Sequence, residues 1–327
     1  MVRVLSDADV AAVLDLSDLL PVVQRAFESQ GRGAVERPER PHFPVGIDLA
    51  GSPPDGWGTG LVMPAYIHGA DHFATKIATV HPENPERGLP TVNAQIVLNE
   101  AATGLPAALL AGNRVTNART ACIGGLAARE LAVEGPLRLG IIGAGTQARW
   151  QTRAIDAATG VDRIRVYSPS DSRLACAEDL AAELEVPATP VDSPAAAVAE
   201  ATVVVTATTS DEPVFPTEAL SAGTLVIGVG AYSGDQQEVP AGALTRAARV
   251  FGDVPSEVAT IGDVVQAGLT QADLVPLADV FAGVAGRESD EEILVVESVG
   301  SAVLDAAAGE YVLGAAEAAD VGTTVDL

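Results

Sequence analysis

Apolar and polar positions alternate in different ways along the chain. Residues 17–30 carry apolar side chains at helical spacing, and Ser17 is a candidate cap for the helix that this spacing predicts. Between residues 61 and 110, four short apolar runs separated by turn residues predict β-strands, and the turn at 99–104 predicts that the last two form a hairpin. A further helix is predicted over residues 116–131.

From residue 138 onward, continuous apolar runs alternate with helix-like segments. The predicted strands span residues 138–142, 163–167, 202–206, 224–229 and 248–251. Continuous apolar strands separated by helices favour a parallel, doubly wound sheet, because both faces of such a sheet are covered. An alanine-rich helix reaching about residue 320 is a candidate to rejoin the first domain. We therefore predict an α/β domain of this kind plus an α+β domain.

A glycine-rich turn follows the first strand of the α/β segment. It reads Gly143-Ala-Gly145-Thr146-Gln147-Ala148 and precedes a helix-like sequence. Backbone N–H groups at such a helix start bind a pyrophosphate, and the third small position tolerates alanine. A turn of this kind also occurs without a ligand, but its context of strand, turn and helix favours a Rossmann-type dinucleotide site.

The end of the next strand bears on which dinucleotide is bound. Folds that prefer NAD place an acid about 20 residues after the glycines, whereas Ser168 stands at that point here. Ser168, Ser170 and Arg173 are candidates to receive a 2′-phosphate, and Asp171 is interpreted as a helix cap. The sequence thus favours NADP, with NAD as the alternative.

Composition excludes several classes of partner. The chain has 44 acidic and 19 basic residues, a net charge of −25, which disfavours nucleic-acid binding because phosphates are repelled. No uncharged run reaches the ~18 apolar residues of a membrane span. Two cysteines are too few for a disulfide framework, so we expect a cytoplasmic protein. Four histidines complete no metal site with neighbouring acids, and we predict no metal.

Lys76 is the single lysine of the chain and lies in the middle of a predicted strand. A buried ammonium is costly unless it is paired, so either its head emerges into a cleft or a carboxylate meets it. The alternative is an edge-strand lysine that points to solvent. Lysine suits binding of a carboxylate or donation of a proton. Arg119 has no acid within four residues, whereas Arg40 has acidic neighbours and by itself indicates only a surface ion pair.

These residues belong to motifs through which nearly the whole chain resembles the ornithine cyclodeaminase/mu-crystallin family. The motifs are Leu61-Val-Met-Pro-Ala65, Thr75-Lys-Ile77, His81-Pro-Glu-Asn-Pro85, Gly88-Leu-Pro-Thr-Val92, Arg119-Thr-Ala121, residues 143–148, Thr206-Ala-Thr-Thr209, Gly228-Val-Gly230 and Ser298-Val-Gly300. The resemblance implies a Rossmann domain over residues 119–300. It also implies a domain for substrate binding and dimerisation, made of residues 1–118 with 301–327.

The resemblance also implies roles for individual residues. Arg40, Lys76 and Arg119 would hold an amino-acid carboxylate against the nicotinamide. The cofactor site predicted from the glycine turn and the resemblance together comprises Thr91, Gly143, Gly145, Thr146, Gln147, Ser168, Arg173, Thr206, Thr208, Val229 and Ser298.

Two departures from the cyclodeaminases bear on the reaction. Tyr232 stands where those enzymes carry an aspartate for the substrate amines, with Asp235 nearby, and Leu61 replaces a glutamate. Both losses remove acids that would bind the second ammonium of a diamine. The resemblance implies a homodimer and hydride exchange between a nicotinamide and the α-carbon of an amino acid or its imine. With these departures it predicts an NAD(P)-dependent reductase of ketimines or cyclic imino acids, such as 1-pyrroline-2-carboxylate, or a related amino-acid dehydrogenase.

Two alternatives stay open at this point. One is an ornithine cyclodeaminase in which Asp235 replaces the missing aspartate. The other is a non-catalytic protein of mu-crystallin type that binds NADPH or a small ligand.

The acidic, lysine-poor composition predicts adaptation to high salt, where carboxylates stay hydrated and their repulsion is screened. We expect the free energy of unfolding to be higher in molar salt than at low salt. Denaturant unfolding at both salt concentrations checks this, and equal stability would contradict it.

Overall fold

The computed structural model describes residues 1–326, which form two compact units. The first unit consists of Met1–Arg119 and the chain from Ala302 onward, and the second consists of Thr120–Ser301. No helix within residues 1–326 is both long and apolar enough to cross a bilayer. The functional roles assigned to the two parts of the chain stay predictions.

The strands and helices are numbered separately in chain order. The strands are β1 (Val2–Leu5), β2 (Val35–Glu36), β3 (His42–Val45), β4 (Gly58–Ile67), β5 (His72–Val80), β6 (Val92–Glu100), β7 (Pro106–Ala111), β8 (Arg138–Ile142), β9 (Arg163–Tyr167), β10 (Ala188–Pro190), β11 (Val203–Thr206), β12 (Leu225–Gly228), β13 (Arg249–Gly252), β14 (Leu274–Pro276), β15 (Leu294–Glu297) and β16 (Thr323–Val325). The helices are α1 (Asp7–Val13), α2 (Leu16–Gly31), α3 (Gly112–Leu131), α4 (Thr146–Thr159), α5 (Ser172–Leu184), α6 (Pro194–Val198), α7 (Ala241–Arg246), α8 (Pro255–Val258), α9 (Gly262–Gln266), α10 (Leu277–Phe281) and α11 (Ala302–Ala318).

The first unit is built on a largely antiparallel sheet with the strand order β16-β1-β7-β6-β5-β4-β2, and β3 also pairs with β4. Because side chains alternate between the two faces of a strand, Ala74, Lys76 and Ala78 of β5 point to the buried face while Ile77 points outward. Helix α11 packs against β4, β5 and β6. The alanine-rich helix therefore belongs to the first unit and covers the face that carries Lys76.

The second unit contains an eight-stranded sheet with the order β10-β9-β8-β11-β12-β15-β13-β14. Every strand pair in it is parallel. The chain leaves β8 first through β9 and β10 and then continues on the other side through β11, so the strand order reverses at β8. Ligands of doubly wound sheets bind at such a reversal, beyond the carboxyl ends of the strands. The predicted parallel, doubly wound fold is confirmed.

The predicted elements of the first half are found with shifted ends. Strands β6 and β7 form the expected antiparallel hairpin. Helix α2 starts earlier than predicted, because Asp15 rather than Ser17 caps it: the Asp15 carboxylate accepts hydrogen bonds from the Ser17 and Asp18 N–H groups at 2.8 and 3.2 Å. The short elements β10, β14, β16 and α6–α10 have at most six residues each, too few for a periodic pattern.

Candidate active site

Lys76 lies at the centre of the sheet of the first unit and is 2% exposed. Its partners on the neighbouring strands are Met63 on β4 and Ile96 on β6, so the surroundings along the sheet are apolar. Its Nζ lies 2.6 Å from Oδ2 of Asp305 on α11. Lys76 is thus a buried, paired lysine of a central strand and not an edge-strand lysine pointing to solvent.

Asp305 pairs with a second cation through its other oxygen. Its Oδ1 accepts a hydrogen bond from Arg119 Nε at 2.7 Å, and both side chains are almost fully buried. Burial by itself would raise the pKa of the Asp305 carboxyl, but the charges of Arg119 and then Lys76 outweigh it and hold that pKa below its ordinary value. Asp305 therefore stays ionised between two cations.

Opposing influences act on the Lys76 ammonium. Burial is the largest influence and lowers the Lys76 pKa, and the charge of Asp305 raises it. The positive charges of Arg119 and Arg40 lower it further, and the resulting pKa is about 8. A group with this pKa can hold or release a proton near neutral pH, as an acid catalyst must.

Arg119 lies on α3 and is 4% exposed. It donates to Asp305 through Nε, which leaves its terminal nitrogens for other partners. Its Nη1 is buried and meets no hydrogen-bond acceptor among residues 1–326. Arg40 lies half-buried in the loop between β2 and β3, close enough for its charge to act on Lys76. With one carboxylate between Lys76 and Arg119, the cluster keeps a positive charge that suits an anionic ligand.

Thr91, predicted at the cofactor site, belongs to the first unit and lies directly before β6. Its carbonyl accepts a hydrogen bond from the backbone N–H of His81 at 2.8 Å. This hydrogen bond joins the two ends of the loop between β5 and β6.

The glycine turn of the second unit joins β8 to α4. Gly143 has φ +112°, and a Cβ at this position would overlap the carbonyl oxygen of Ala207, so a side chain is excluded on two grounds. A Cβ at Gly145 would meet no atom within 4 Å, and no side chain caps the helix that starts at Thr146 and Gln147. The turn therefore combines an open approach with the N–H groups of a helix start, which fits a phosphate.

A cluster of serine hydroxyls follows β9. Ser168 is buried, and the hydroxyls of Ser168 and Ser170, of Ser170 and Ser172, and of Ser172 and Ser168 lie 3.4, 2.7 and 3.3 Å apart. These groups can donate to an anion, and no carboxylate takes the place of Ser168.

Arg173 lies beside this cluster, on the first turn of α5. It donates to the Ser170 carbonyl at 2.9 Å and lies 3.5 Å from the exposed carboxylates of Asp171 and Asp192. Asp171 occupies the N-cap position as predicted, but its side chain makes no capping bond and instead pairs with Arg173. Exposed pairs of this length are weak, so they leave Arg173 able to change partners.

Buried acids hold the loops at the carboxyl ends of β11 and β12. The Glu238 carboxylate accepts hydrogen bonds from Thr206 Oγ1 at 3.1 Å, from Gly230 N at 2.7 Å and from Thr208 N. Val229 lies between β12 and the tethered Gly230. One acid that sequence reasoning did not assign to the site thus binds Thr206, Thr208 and Gly230, the residue after Val229.

Asp253, which follows β13, likewise holds the loop at the carboxyl end of β15. It accepts hydrogen bonds from Ser298 Oγ at 2.7 Å, Gly300 N at 2.7 Å and Val299 N at 3.1 Å. The Ser298 hydroxyl therefore points at a buried carboxylate. The backbone of Ser298 is the part of this residue left to face a ligand.

Two further acids lie buried in the second unit. Asp263 accepts from the backbone N–H groups of Glu238 and Val239 at 2.7 and 3.0 Å, and burial raises its pKa to about 7. Burial, followed by the charges of Asp263, Glu238 and Asp253, raises the pKa of Glu297 well above its ordinary value. Glu297 therefore holds its proton to higher pH than an ordinary glutamate does.

Sequence reasoning missed these acids and Asp305, although Asp305 and Glu297 each left a signal. Asp305 is the one charged residue in the apolar stretch 302–309, and Glu297 ends a run of buried apolar residues. An acid in such a position requires a partner or a proton, but the sequence does not identify which.

A parallel sheet with a glycine turn at its strand reversal, together with a separate buried cation cluster, defines the class of two-domain dinucleotide-binding α/β proteins. The chain belongs to the ornithine cyclodeaminase/mu-crystallin family, whose sequence profile matches residues 2–320.

Relatives of known name are similar over most of the chain. The chain is 34% identical over 278 residues to the Delta(1)-pyrroline-2-carboxylate reductase of Bacillus cereus, covering 82% of this chain and 85% of that protein. It is 30% identical over 335 residues to the alanine dehydrogenase of Archaeoglobus fulgidus, covering 98% and 97%. Among solved structures, the Thermococcus litoralis Delta(1)-pyrroline-2-carboxylate reductase in complex with NADH and L-proline has a TM-score of 0.93 at 30% identity, covering 99% of this chain and 100% of the other.

The raised pKa of Glu297 predicts how stability depends on pH. An unfolded chain releases this proton near pH 4.5, whereas the folded protein keeps it well above that pH. Wild-type stability therefore falls as pH rises from the pKa of the unfolded chain to that of the folded protein. Glu297→Gln does not titrate and lacks this loss. Melting temperatures between about pH 5 and pH 8 should therefore favour the variant increasingly as pH rises.

The matched control is Glu291→Gln, which alters an exposed acid. A difference between Glu297→Gln and wild type that stays constant over the pH range would contradict the prediction.

Proposed function

We propose that this chain is a nicotinamide-dependent reductase of ketimines or small cyclic imino acids, such as 1-pyrroline-2-carboxylate, or a related amino-acid dehydrogenase. The observation that carries the proposal is the buried cluster in which Asp305 holds Lys76 at 2.6 Å and Arg119 at 2.7 Å. Its remaining positive charge suits the substrate carboxylate, and its lysine suits protonation of an imine nitrogen. The named activities of the Bacillus and Thermococcus relatives support this assignment.

Each member of the cluster has a distinct role in the proposed site. Arg119 has a buried Nη1 without an acceptor, which is the donor available to the substrate carboxylate. Arg40 adds a second guanidinium from its loop. Lys76 orients the carboxylate and holds at Nζ the proton that the nitrogen takes up when the C=N bond is reduced.

The second unit supplies the cofactor site in this proposal. Gly143, Gly145, Thr146 and Gln147 would hold the pyrophosphate at the start of α4. The other predicted positions of the second unit are Ser168, Arg173, Thr206, Thr208, Val229 and Ser298. When bound, the nicotinamide supplies a hydride to the α-carbon of the imine.

We propose NADP as the preferred cofactor, with NAD as the weaker one. Ser168 replaces the acid that would repel a 2′-phosphate, and three serine hydroxyls cluster there beside Arg173. The Thermococcus relative holds NADH in its structure, so this preference is a specific property proposed for the present chain.

We also propose a cytoplasmic homodimer. Ile77 and Leu109, each 39% exposed, lie on the outward face of the sheet of the first unit with Val62 and Val97. An outward apolar sheet face suits a second copy of the chain, which would bury it by two-fold symmetry. Both cysteines, Cys122 and Cys176, are free and buried, which agrees with a reducing compartment.

Lys76→Met tests the catalytic role of the lysine. We expect turnover of 1-pyrroline-2-carboxylate to fall at least about 100-fold, because general acid catalysis contributes 10²–10⁴-fold. Cofactor affinity, measured by fluorescence titration, should stay unchanged. Arg129→Met, an exposed arginine of α3, is the control, and near-normal turnover of Lys76→Met would refute the role.

Ser168→Asp tests the cofactor preference. An acid at this position would repel the 2′-phosphate, so we expect kcat/KM for NADPH to fall at least about tenfold while that for NADH holds or rises. Steady-state kinetics with both cofactors measures this, with Ser221→Asp at an exposed serine as the control. A wild-type preference for NADH, with no effect of Ser168→Asp, would overturn the proposal.

The combined change Ile77→Glu and Leu109→Glu tests the dimer. Two carboxylates on the outward face should oppose its burial and yield a monomer in sedimentation velocity. Val265→Glu, at a half-exposed apolar residue of α9, should leave the mass unchanged. A monomeric wild type would contradict the proposal.

A further inference from the structure

We propose that Asp305 is a positioning residue whose two carboxylate oxygens hold the Lys76 ammonium and the Arg119 guanidinium in one fixed arrangement and keep Lys76 charged for the reaction. This inference rests on the proposed function, since it concerns the same lysine. It assigns a role to a residue of α11 that neither binds the cofactor nor touches the reacting atoms.

The geometry makes Asp305 a bridge between different elements of the first unit. Its Oδ2 lies 2.6 Å from Nζ of Lys76 on β5, and its Oδ1 lies 2.7 Å from Nε of Arg119 on α3. The side chains of Asp305, Lys76 and Arg119 are 1%, 3% and 5% exposed, respectively. Because each oxygen serves one cation, the carboxylate cannot rotate without weakening both pairs.

The surroundings of Lys76 leave Asp305 as its counter-ion. Met63 and Ile96 flank it on the neighbouring strands and are apolar, while the other charged groups that act on it, Arg119 and Arg40, are cations. Farther along the same strand and helix, His72 pairs with Glu310 at 3.2 Å. Without the Asp305 charge, burial and two positive neighbours would all favour the neutral amine.

Asp305 itself does not supply the proton. It accepts from two cations and is ionised, so it has no proton to give. Its effect on the reaction passes through Lys76 and Arg119: the first must be charged to protonate the imine nitrogen, and the second must present Nη1 to the substrate carboxylate.

The single lysine of the chain allows a direct test. Protein labelled with ¹³C-lysine gives one side-chain Cε resonance, whose shift over pH reports the ionisation of Lys76 without assignment. We expect a wild-type midpoint near pH 8. Asp305→Asn should lower that midpoint by at least about one pH unit, whereas Glu310→Gln, an acid on the same helix, should leave it unchanged.

The pH profile of kcat/KM should shift in parallel. Because the charged form of Lys76 is the active one, the alkaline limb should move to lower pH in Asp305→Asn by the same amount as the midpoint. A midpoint and an alkaline limb that both match wild type would overturn the proposal.

Asp305→Glu covers the case in which Asp305→Asn does not fold. It keeps the charge but displaces the carboxylate by one methylene, so we expect a midpoint near that of wild type and a KM at least about tenfold higher. An unchanged KM would contradict the positioning role. The titration needs no turnover, so a shifted midpoint in a protein that reduces no imine would refute the proposed function and leave the role of Asp305 standing.

Discussion

Two buried cations share one buried carboxylate in the first unit, and the proposed chemistry depends on this ion cluster. Removing a charge from water costs several kcal/mol, which only close and well-hydrogen-bonded partners offset. Asp305 meets that requirement for Lys76 and Arg119 together, yet one negative charge does not neutralise two positive ones. The remaining charge and the buried Nη1 of Arg119, which meets no acceptor among residues 1–326, are the features on which the proposed binding of a substrate carboxylate rests.

Buried acids serve a different purpose in the second unit. Glu238 and Asp253 accept hydrogen bonds from the backbone and hydroxyl groups of the loops beyond β11, β12 and β15. These loops carry the predicted cofactor contacts, and their N–H groups would otherwise be unsatisfied. Burial and the charges of the neighbouring acids raise the pKa of Glu297, so a proton on this group relieves the mutual repulsion.

Sequence reasoning recovered the features that depend on local pattern. The parallel sheet followed from continuous apolar strands and the glycine turn from its spacing. The rarity of Lys76 in a chain otherwise rich in acids singled out a residue that the structure shows to be buried and paired. The shared partner of Lys76 and Arg119 did not follow, because Asp305 lies 186 residues from Arg119 along the chain and still farther from Lys76, and meets them only after α11 packs on the sheet. The bonds of Asp253 to Ser298 and Gly300 were inaccessible for the same reason. Asp171 shows the converse limit, because its position at the helix start was predicted correctly while its bond was not.

Transfer of the hydride to the α-carbon of an imino acid is the central claim. NADPH or NADH carrying deuterium at the transferable position of the nicotinamide can be incubated with 1-pyrroline-2-carboxylate, and the proline formed can be examined by NMR. We expect one deuterium at Cα for each cofactor molecule oxidised. Tight cofactor binding without oxidation by any imino acid would contradict this claim, as would proline and ammonia formed from ornithine without net cofactor oxidation.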